Sequence, residues 1–338
     1  MKIRIILGSL ALALSTFTLN GEKASAEQLT VATFIPPQHH INKNLFGWFG
    51  KEIAKRSGGS LTMKLFPAGQ LGAGPVQQYK RVVEGVADIT FGVSAYTAAI
   101  FPKTMLIIPP GKSKTAKEST DRLWGVLDKY MADEYKNVKV LGVFTVAGSL
   151  IASTKNVSTM AGLKGAKIVP FAAMTTPIIK GMGAVPVQMP VTQMYTGLST
   201  GTIDATYASY NNITPPWNFW DVSKFVIGNF PVQFAATYVA MNKERYDGLS
   251  AAHRKIIDEL SGKTMSDQGS ATFDGADQRS EAMMKKSPKM KKVNWVQVSP
   301  SERAKMDAAV KKGLESIFAD YAKRGIKNAR EIYNALNQ

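Results

Sequence analysis

The sequence predicts an α/β protein with two domains, a ligand cleft between them and one long helix that spans both. Strand and helix patterns alternate along the chain, and this alternation runs through two successive units. About 34 consecutive residues after the second unit read as a single helix. A chain of 338 residues is long enough for two domains of about 150 residues each. Two such units commonly hold a small-molecule site in the groove between them.

The N-terminal residues have the composition of an export signal. Lys2 and Arg4 precede an apolar run over residues 5–19, and small residues at 24–26 suit a cleavage site. The apolar run is shorter than the roughly 20 residues that a membrane helix needs. We therefore predict that residues 1–26 are a cleavable signal peptide and that the mature chain is periplasmic. A retained anchor is the alternative, which the small-residue motif disfavours.

The first unit covers the mature chain up to residue 149. Its strands are predicted from short apolar or alternating segments, and its helices from apolar residues that recur at helical spacing. The predicted strands are 29–34, 61–66, 88–93 and 138–146, and the predicted helices are 42–57, 75–84 and 116–135. This order implies parallel strands covered by helices.

The second unit begins near Leu150 and is followed by elements that return to both units. The predicted strands are 167–169, 185–188, 205–207, 236–242 and 293–298, and the predicted helices are 177–182, 191–200, 251–284 and 299–323. A helix of about 34 residues would be about 50 Å long, which is enough to cross both units. We therefore assign residues 27–149 plus 236–275 to domain I and residues 150–235 plus 276–338 to domain II.

The composition argues against several classes of function. The chain has no Cys, which excludes disulfides, thiolate metal sites and Cys nucleophiles. It has only three His, and it lacks a nucleophile elbow, a zinc-binding helix motif and a phosphate loop. We therefore predict that it is not an enzyme, with no catalytic residue, no metal site and no cofactor. The net charge of +17 is spread along the chain without an aromatic-interleaved basic motif, so we predict no nucleic-acid partner.

A series of short motifs runs in order along nearly the whole mature chain. They are His39-His40, FPAGQLG at 66–72, GVADI at 85–89, GLKGAKI at 162–168, YTGL at 195–198 followed by Gly201 and Asp204, WDVSKF at 220–225 and Met241-Asn242. Together they resemble the extracytoplasmic solute-binding proteins of tripartite ATP-independent periplasmic (TRAP) transporters, in the dicarboxylate-binding (DctP-type) subfamily.

This resemblance implies a periplasmic binding protein fold whose two domains close over one small-molecule ligand. It also implies two membrane partners, the small and large subunits of a TRAP permease, and favours an organic acid as the ligand. We expect a monomer. The alternative is a ligand-binding module for an amine or aromatic solute that serves a sensor rather than transport.

The resemblance also indicates which positions contact the ligand. Relatives usually place an Arg that pairs with the ligand carboxylate at position 169, and some place a second basic residue at position 150; this chain has Val169 and Leu150. Aromatic and amide residues are abundant nearby, and each of them could instead pack in the core. The predicted ligand-binding residues are His39, His40, Ser94, Tyr96, Val169, Phe171, Tyr207, Tyr210, Asn211 and Trp217.

Overall fold

The computed structural model describes residues 26–338, so the predicted signal peptide lies outside these residues except for Ala26. The strands are β1 (Glu27–Ala32), β2 (Leu61–Phe66), β3 (Ile89–Val93), β4 (Val138–Gly148), β5 (Leu150–Ser153), β6 (Lys167–Val169), β7 (Val185–Pro186), β8 (Ala205–Ala208), β9 (Phe225–Gly228), β10 (Gln233–Asn242) and β11 (Asn294–Gln297). The helices are α1 (Gly47–Arg56), α2 (Gln78–Val83), α3 (Ala116–Tyr130), α4 (Met160–Leu163), α5 (Thr176–Gly181), α6 (Val191–Ser199), α7 (Tyr210–Ile213), α8 (Lys243–Asp247), α9 (Ala251–Leu260), α10 (Lys263–Lys286), α11 (Pro300–Lys323) and α12 (Ala329–Leu336).

The first sheet, sheet A, has the strand order β2-β1-β3-β10-β4. β1 runs parallel to β2 and β3, and β10 runs antiparallel to β3 and β4. The start of β3 is held beside β1 by Asp88, whose carboxylate accepts hydrogen bonds from the N–H (2.7 Å) and hydroxyl (2.9 Å) of Thr30. Asp88 of the GVADI motif is therefore a structural residue, because its carboxylate holds two neighbouring strands together.

The second sheet, sheet B, has the strand order β11-β9-β5-β8-β6-β7. The sequence patterns did not single out β5 or β9 as strands. Each has four residues, and Leu150–Ser153 is buried throughout. So short an apolar segment carries no periodicity that distinguishes a strand from a helix. The two strands become evident only from their antiparallel pairing with each other, the antiparallel pairing of β5 with β8 and the parallel pairing of β9 with β11.

The segment predicted as one helix at 251–284 consists of two helices. Between α9 and α10, Gly262 has a φ of 67°, a left-handed conformation that ends a right-handed helix and favours glycine. Its N–H donates to the carbonyl of Leu141 (2.8 Å), which anchors the break to β4. The prediction of an unbroken helix was wrong at this point. The remaining α10 has 24 residues and is about 36 Å long.

The helix α10 still connects the two halves of the molecule, through two carboxylates one turn apart. Asp274 accepts hydrogen bonds from the first N–H groups of α3, at Ala116 and Lys117 (3.0 Å each), beside sheet A. Asp277 accepts from the N–H of Asn211 (2.9 Å) in α7, beside sheet B. Carboxylates are favourable at helix N-termini, where backbone N–H groups lack partners. The predicted α/β class with a long helix spanning both units is therefore confirmed.

The C-terminal helix α12 returns to the sheet A half. Its buried residues Ile332 and Leu336 belong to the core that includes α3. The Tyr333 hydroxyl donates to the carbonyl of Pro110 (2.6 Å), and Lys112 N–H donates to the side chain of Asn337 (2.8 Å). The chain end thus packs beside sheet A, because the apolar face of α12 is covered by α3.

Candidate ligand-binding cleft

A cavity of about 300 Å³ lies between the two sheets. Residues of the sheet A half, including Phe34, Phe91 and Tyr96, form one wall, and residues of the sheet B half, including Phe171 and Trp217, form the other. The 24 lining residues of the described chain include no Lys, Arg, Asp or Glu. The volume is at the lower end of the range for ligand sites, and the aromatic lining suits a small ligand with a planar apolar part.

His39 and His40 form a stacked pair, with ring centroids 3.8 Å apart, and His39 lines the cavity. Nδ1 of His39 accepts a hydrogen bond from the N–H of Ile41 (3.2 Å). Burial lowers the pKa of His39 to about 3, and burial with the charges of His39 and Arg279 lowers the pKa of His40 well below its usual value. Both rings are therefore neutral at physiological pH. Because Nδ1 of His39 is an acceptor, the neutral ring carries its proton on Nε2.

Tyr96 reaches across the cleft from the sheet A half. Its hydroxyl oxygen accepts a hydrogen bond from the backbone N–H of Val191 (3.0 Å), the first residue of α6 in the sheet B half. Burial raises the pKa of Tyr96 to about 12. The phenol therefore stays protonated, and its own O–H remains available to a ligand.

Asn211 is placed in the cavity wall by α10. Its side-chain amide donates to Ser209 Oγ and to the carboxylate of Asp277 (2.6 Å each), and its backbone N–H donates to the same carboxylate (2.9 Å). Burial and the nearby charge of Asp274 raise the pKa of Asp277 to about 6, against the opposing effect of the hydrogen bonds from Asn211. The side-chain oxygen of Asn211 is left as the group that can face a ligand.

Phe171 lies where the two sheets meet. Its N–H donates to the side-chain oxygen of Gln233 (3.1 Å), and its ring lies so close to Gly148 that an added Cβ would be 2.6 Å from it. The ring of Tyr207 lies 6.0 Å away and also lines the cavity. Only glycine at position 148 leaves room for the Phe171 ring in this position.

Six of the ten predicted ligand-binding residues line the cavity, and four do not. The six are His39, Tyr96, Phe171, Tyr207, Asn211 and Trp217. His40 is covered by His39 and Phe273, and the ring of Tyr210 stacks on Trp295, 6.0 Å away. Ser94 is fully buried, and Val169 packs in the core around Leu150. Contact between any of the ten and a ligand stays a prediction.

Sequence analysis did not propose several other residues of the wall, notably Phe34, Phe91, Gln188, Thr237 and Phe273. Phe91 lies within β3 and Thr237 within β10. In a strand that is buried on both faces, the sequence pattern is the same for a residue facing a cavity and one facing the core. Gln188 could have been noticed as an isolated amide in the apolar segment VPVQMP.

A family model described as bacterial extracellular solute-binding protein, family 7, matches residues 31–320. The 2,3-diketo-L-gulonate-binding periplasmic protein YiaO of Escherichia coli K12 is 29% identical over 264 residues, which are 76% of this chain and 78% of that protein. Among residues 26–338, no helix is long and apolar enough to cross a membrane.

Solved structures with the same fold include two TRAP solute-binding proteins. The TRAP solute-binding protein of Rhodoferax ferrireducens T118, in complex with copurified benzoate, is 25% identical with a TM-score of 0.83, covering 92% of this chain and 96% of that chain. A TRAP solute-binding protein from a marine metagenome, specific for aromatic acid ligands, is 24% identical with a TM-score of 0.84, covering 92% of this chain and 97% of that chain.

Proposed function

The chain belongs to bacterial extracellular solute-binding protein family 7, and on this premise we propose that it captures a small aromatic acid and delivers it to a TRAP permease. The family match and the fold confirm the motif-based identification of an extracytoplasmic receptor of the TRAP type. The matched proteins are solute-binding receptors, so the chain is a receptor and not an enzyme.

The observation that carries the choice of ligand is the cavity itself. It holds about 300 Å³, and aromatic rings from both halves line it without any charged side chain. A sugar acid carries hydroxyl groups around its whole ring, and each hydroxyl would need a polar partner in the cavity wall. A single aromatic ring needs apolar walls and partners at one end only. The benzoate bound by the Rhodoferax ferrireducens receptor has this chemistry.

We propose that the two units close over the ligand as domains. Domain I is 27–149 plus 236–275, and domain II is 150–235 plus 276–323, with α12 moving with domain I. The sheet membership of β10 and β11 and the packing of α12 support this division. Ligand contacts from both walls would favour the closed state over the open state.

The remaining proposals concern location and partners. Export by a signal peptide cleaved after residue 26 would place the receptor in the periplasm, where the family acts. There it would act as a monomer and dock on the small and large subunits of the permease. The sensor alternative is not favoured, because the matched proteins include TRAP receptors. An amine ligand is also disfavoured, since the described cavity wall offers no carboxylate.

The test is a thermal-shift and calorimetric screen with benzoate, 3-hydroxybenzoate, mandelate, galacturonate and benzylamine. We expect one aromatic acid to bind with 1:1 stoichiometry. At about 100 times its dissociation constant it should stabilise the protein by about 2.7 kcal/mol. Binding of galacturonate or benzylamine without binding of any aromatic acid would overturn the proposed ligand class.

A further inference from the structure

We propose that the acid group of the ligand is held entirely by uncharged donors, chiefly the Nε2–H of His39 and the indole N–H of Trp217. This inference rests on the proposed function, since it assumes an aromatic acid as ligand. It assigns the anion-binding role to one end of the cavity, near the stacked histidines, and not to position 169.

Position 169 does not supply an anion anchor in this chain. The Val169 side chain is 1% exposed and packs with Leu150 and Ala208 in the core of the sheet B half. Position 169, where relatives usually carry an Arg, and position 150, where some carry a basic residue, are therefore both apolar and buried. An acid in this cleft must be bound by other groups.

Two cations, Arg279 and Arg303, act on groups at or beside the cavity wall, but neither forms part of it. The charge of Arg279 acts on His40, but Arg279 lies on the exposed side of α10. The charge of Arg303 acts on the Tyr207 hydroxyl, but Nε of Arg303 donates to Asp307 (2.8 Å) and Nη1 to the carbonyl of Asn229 (3.3 Å). Neither guanidinium lines the cavity.

Two ring N–H groups on the wall have no hydrogen-bond partner among residues 26–338. One is Nε2 of His39, which carries the ring proton because Nδ1 accepts from Ile41. The other is Nε1 of Trp217, on a side chain that is only partly buried. The two rings meet edge to face with centroids 5.9 Å apart, so both donors belong to the same end of the cavity.

Neutral N–H donors can hold an ionised carboxylate. Hydrogen bonds with a charged acceptor are roughly twice as strong as bonds between neutral groups, and a carboxylate that accepts two or three N–H bonds stays ionised. Asn212 can add a third donor, because it lines the cavity and its side-chain oxygen accepts from the N–H of Ser209 (2.9 Å), while its NH₂ group has no hydrogen-bond partner among residues 26–338.

The decisive experiment compares Trp217→Phe with Trp220→Phe by calorimetry with benzoate and 3-hydroxybenzoate. Both substitutions remove an indole N–H that has no partner in the described chain, but Trp220 is buried in the sheet B core away from the cavity. We expect Trp217→Phe to weaken binding of the acid about tenfold or more, with an unchanged melting temperature without ligand. Trp220→Phe should stay within about twofold of the unsubstituted protein. Equal affinities for both variants would overturn the proposal.

The pH dependence distinguishes neutral donors from a charged imidazole. The titratable and charged groups around His39 are His40, which stacks on it, and Arg279, whose charge reaches His40. Asp277, which holds Asn211 in the cavity wall, has a pKa of about 6, so the pH series is measured in the Asp277→Asn variant, which cannot titrate at that position. With both imidazoles neutral, the affinity of the Asp277→Asn variant for benzoate should change less than about twofold between pH 5.5 and 8. Affinity that rises as the pH falls through about 6.5 would mean that an imidazolium binds the acid, and the inference would be wrong while the proposed function stands. Failure of every aromatic acid to bind the unsubstituted protein would refute both.

Discussion

The hydroxyl oxygen of Tyr96 accepts a hydrogen bond from the backbone N–H of Val191 across the cleft, with 3.0 Å between the oxygen and the nitrogen. Tyr96 follows β3 of sheet A, and Val191 begins α6 beside sheet B. This bond joins the two cavity walls directly and lies at the edge of the space that a ligand would fill. The bond requires the two walls to be close together, so it would favour the closed arrangement that we propose for the ligand-bound receptor.

Replacing Tyr96 by Phe removes this bond and keeps the ring. A hydrogen bond of this kind contributes about 1 kcal/mol, so we expect ligand affinity to fall about fivefold as closure becomes less favourable. Calorimetry with the tightest aromatic acid of the screen measures this change. Tyr246→Phe is the control, because its hydroxyl bonds to Asp258 (2.7 Å), away from the cavity. Similar losses in both variants would contradict a role for Tyr96 in closure.

Replacing Gly148 by Ala should move the ring of Phe171. The new Cβ would lie 2.6 Å from that ring, so the side chain must shift. We expect affinity for the aromatic acid to fall by about tenfold with a loss of stability of about 1 kcal/mol. The matched control is Gly125→Ala in α3, which has open space around the added methyl group and should stabilise the helix by up to about 1 kcal/mol. Unchanged affinity in Gly148→Ala would remove Phe171 from the ligand site.

Replacing Asp277 by Asn should make the protein more stable at neutral pH. In the folded protein the pKa of Asp277 is about 6, above its ordinary value of 3.8, so folding becomes less favourable as the pH rises from about 4 to about 6. Asn cannot ionise and still offers an oxygen to the N–H of Asn211. We expect the variant to gain up to about 3 kcal/mol relative to the unsubstituted protein above pH 6, and this gain to disappear below about pH 4.

Chemical unfolding at pH 4, 5, 6 and 7 measures this difference. Asp274→Asn is the control, because Asp274 caps α3 from the same face of α10. That variant should lose about 1 kcal/mol without the gain at high pH. A constant difference between Asp277→Asn and the unsubstituted protein at all four pH values would contradict the raised pKa.

Restoring the arginine of relatives with Val169→Arg should destabilise the protein. Val169 is 1% exposed in an apolar core, and an unpaired buried charge costs about 3 kcal/mol or more. Val169→Met adds length without charge and should cost about 1 kcal/mol. Thermal melts with and without benzoate compare the two variants. Equal stability of both variants would mean that the guanidinium reaches solvent or the cleft. A rise in the melting temperature of Val169→Arg on addition of benzoate would show that it reaches the cleft.

Local patterns were sufficient for much of the fold. The strand predicted at 61–66 coincides with β2, and the helix predicted at 299–323 coincides with α11 except for its first residue, Ser299, which is the N-cap. These elements have strong apolar periodicity or a capping residue, and both signals depend on neighbouring residues in the chain. The family motifs are local in the same sense, and the identification as a TRAP-type receptor followed from them.

The placement of individual side chains depended on the packing of the two sheets. Phe171 and Tyr210 looked equivalent in the sequence, yet one lines the cavity and the other stacks on Trp295. The break at Gly262 likewise coincides with a hydrogen bond to Leu141, far away in the chain. Sequence alone established the fold class and the kind of protein, whereas only the tertiary structure decided which aromatic rings form the cleft. The reason is physical: whether a ring meets core, solvent or ligand depends on the surface opposite it, which distant parts of the chain provide.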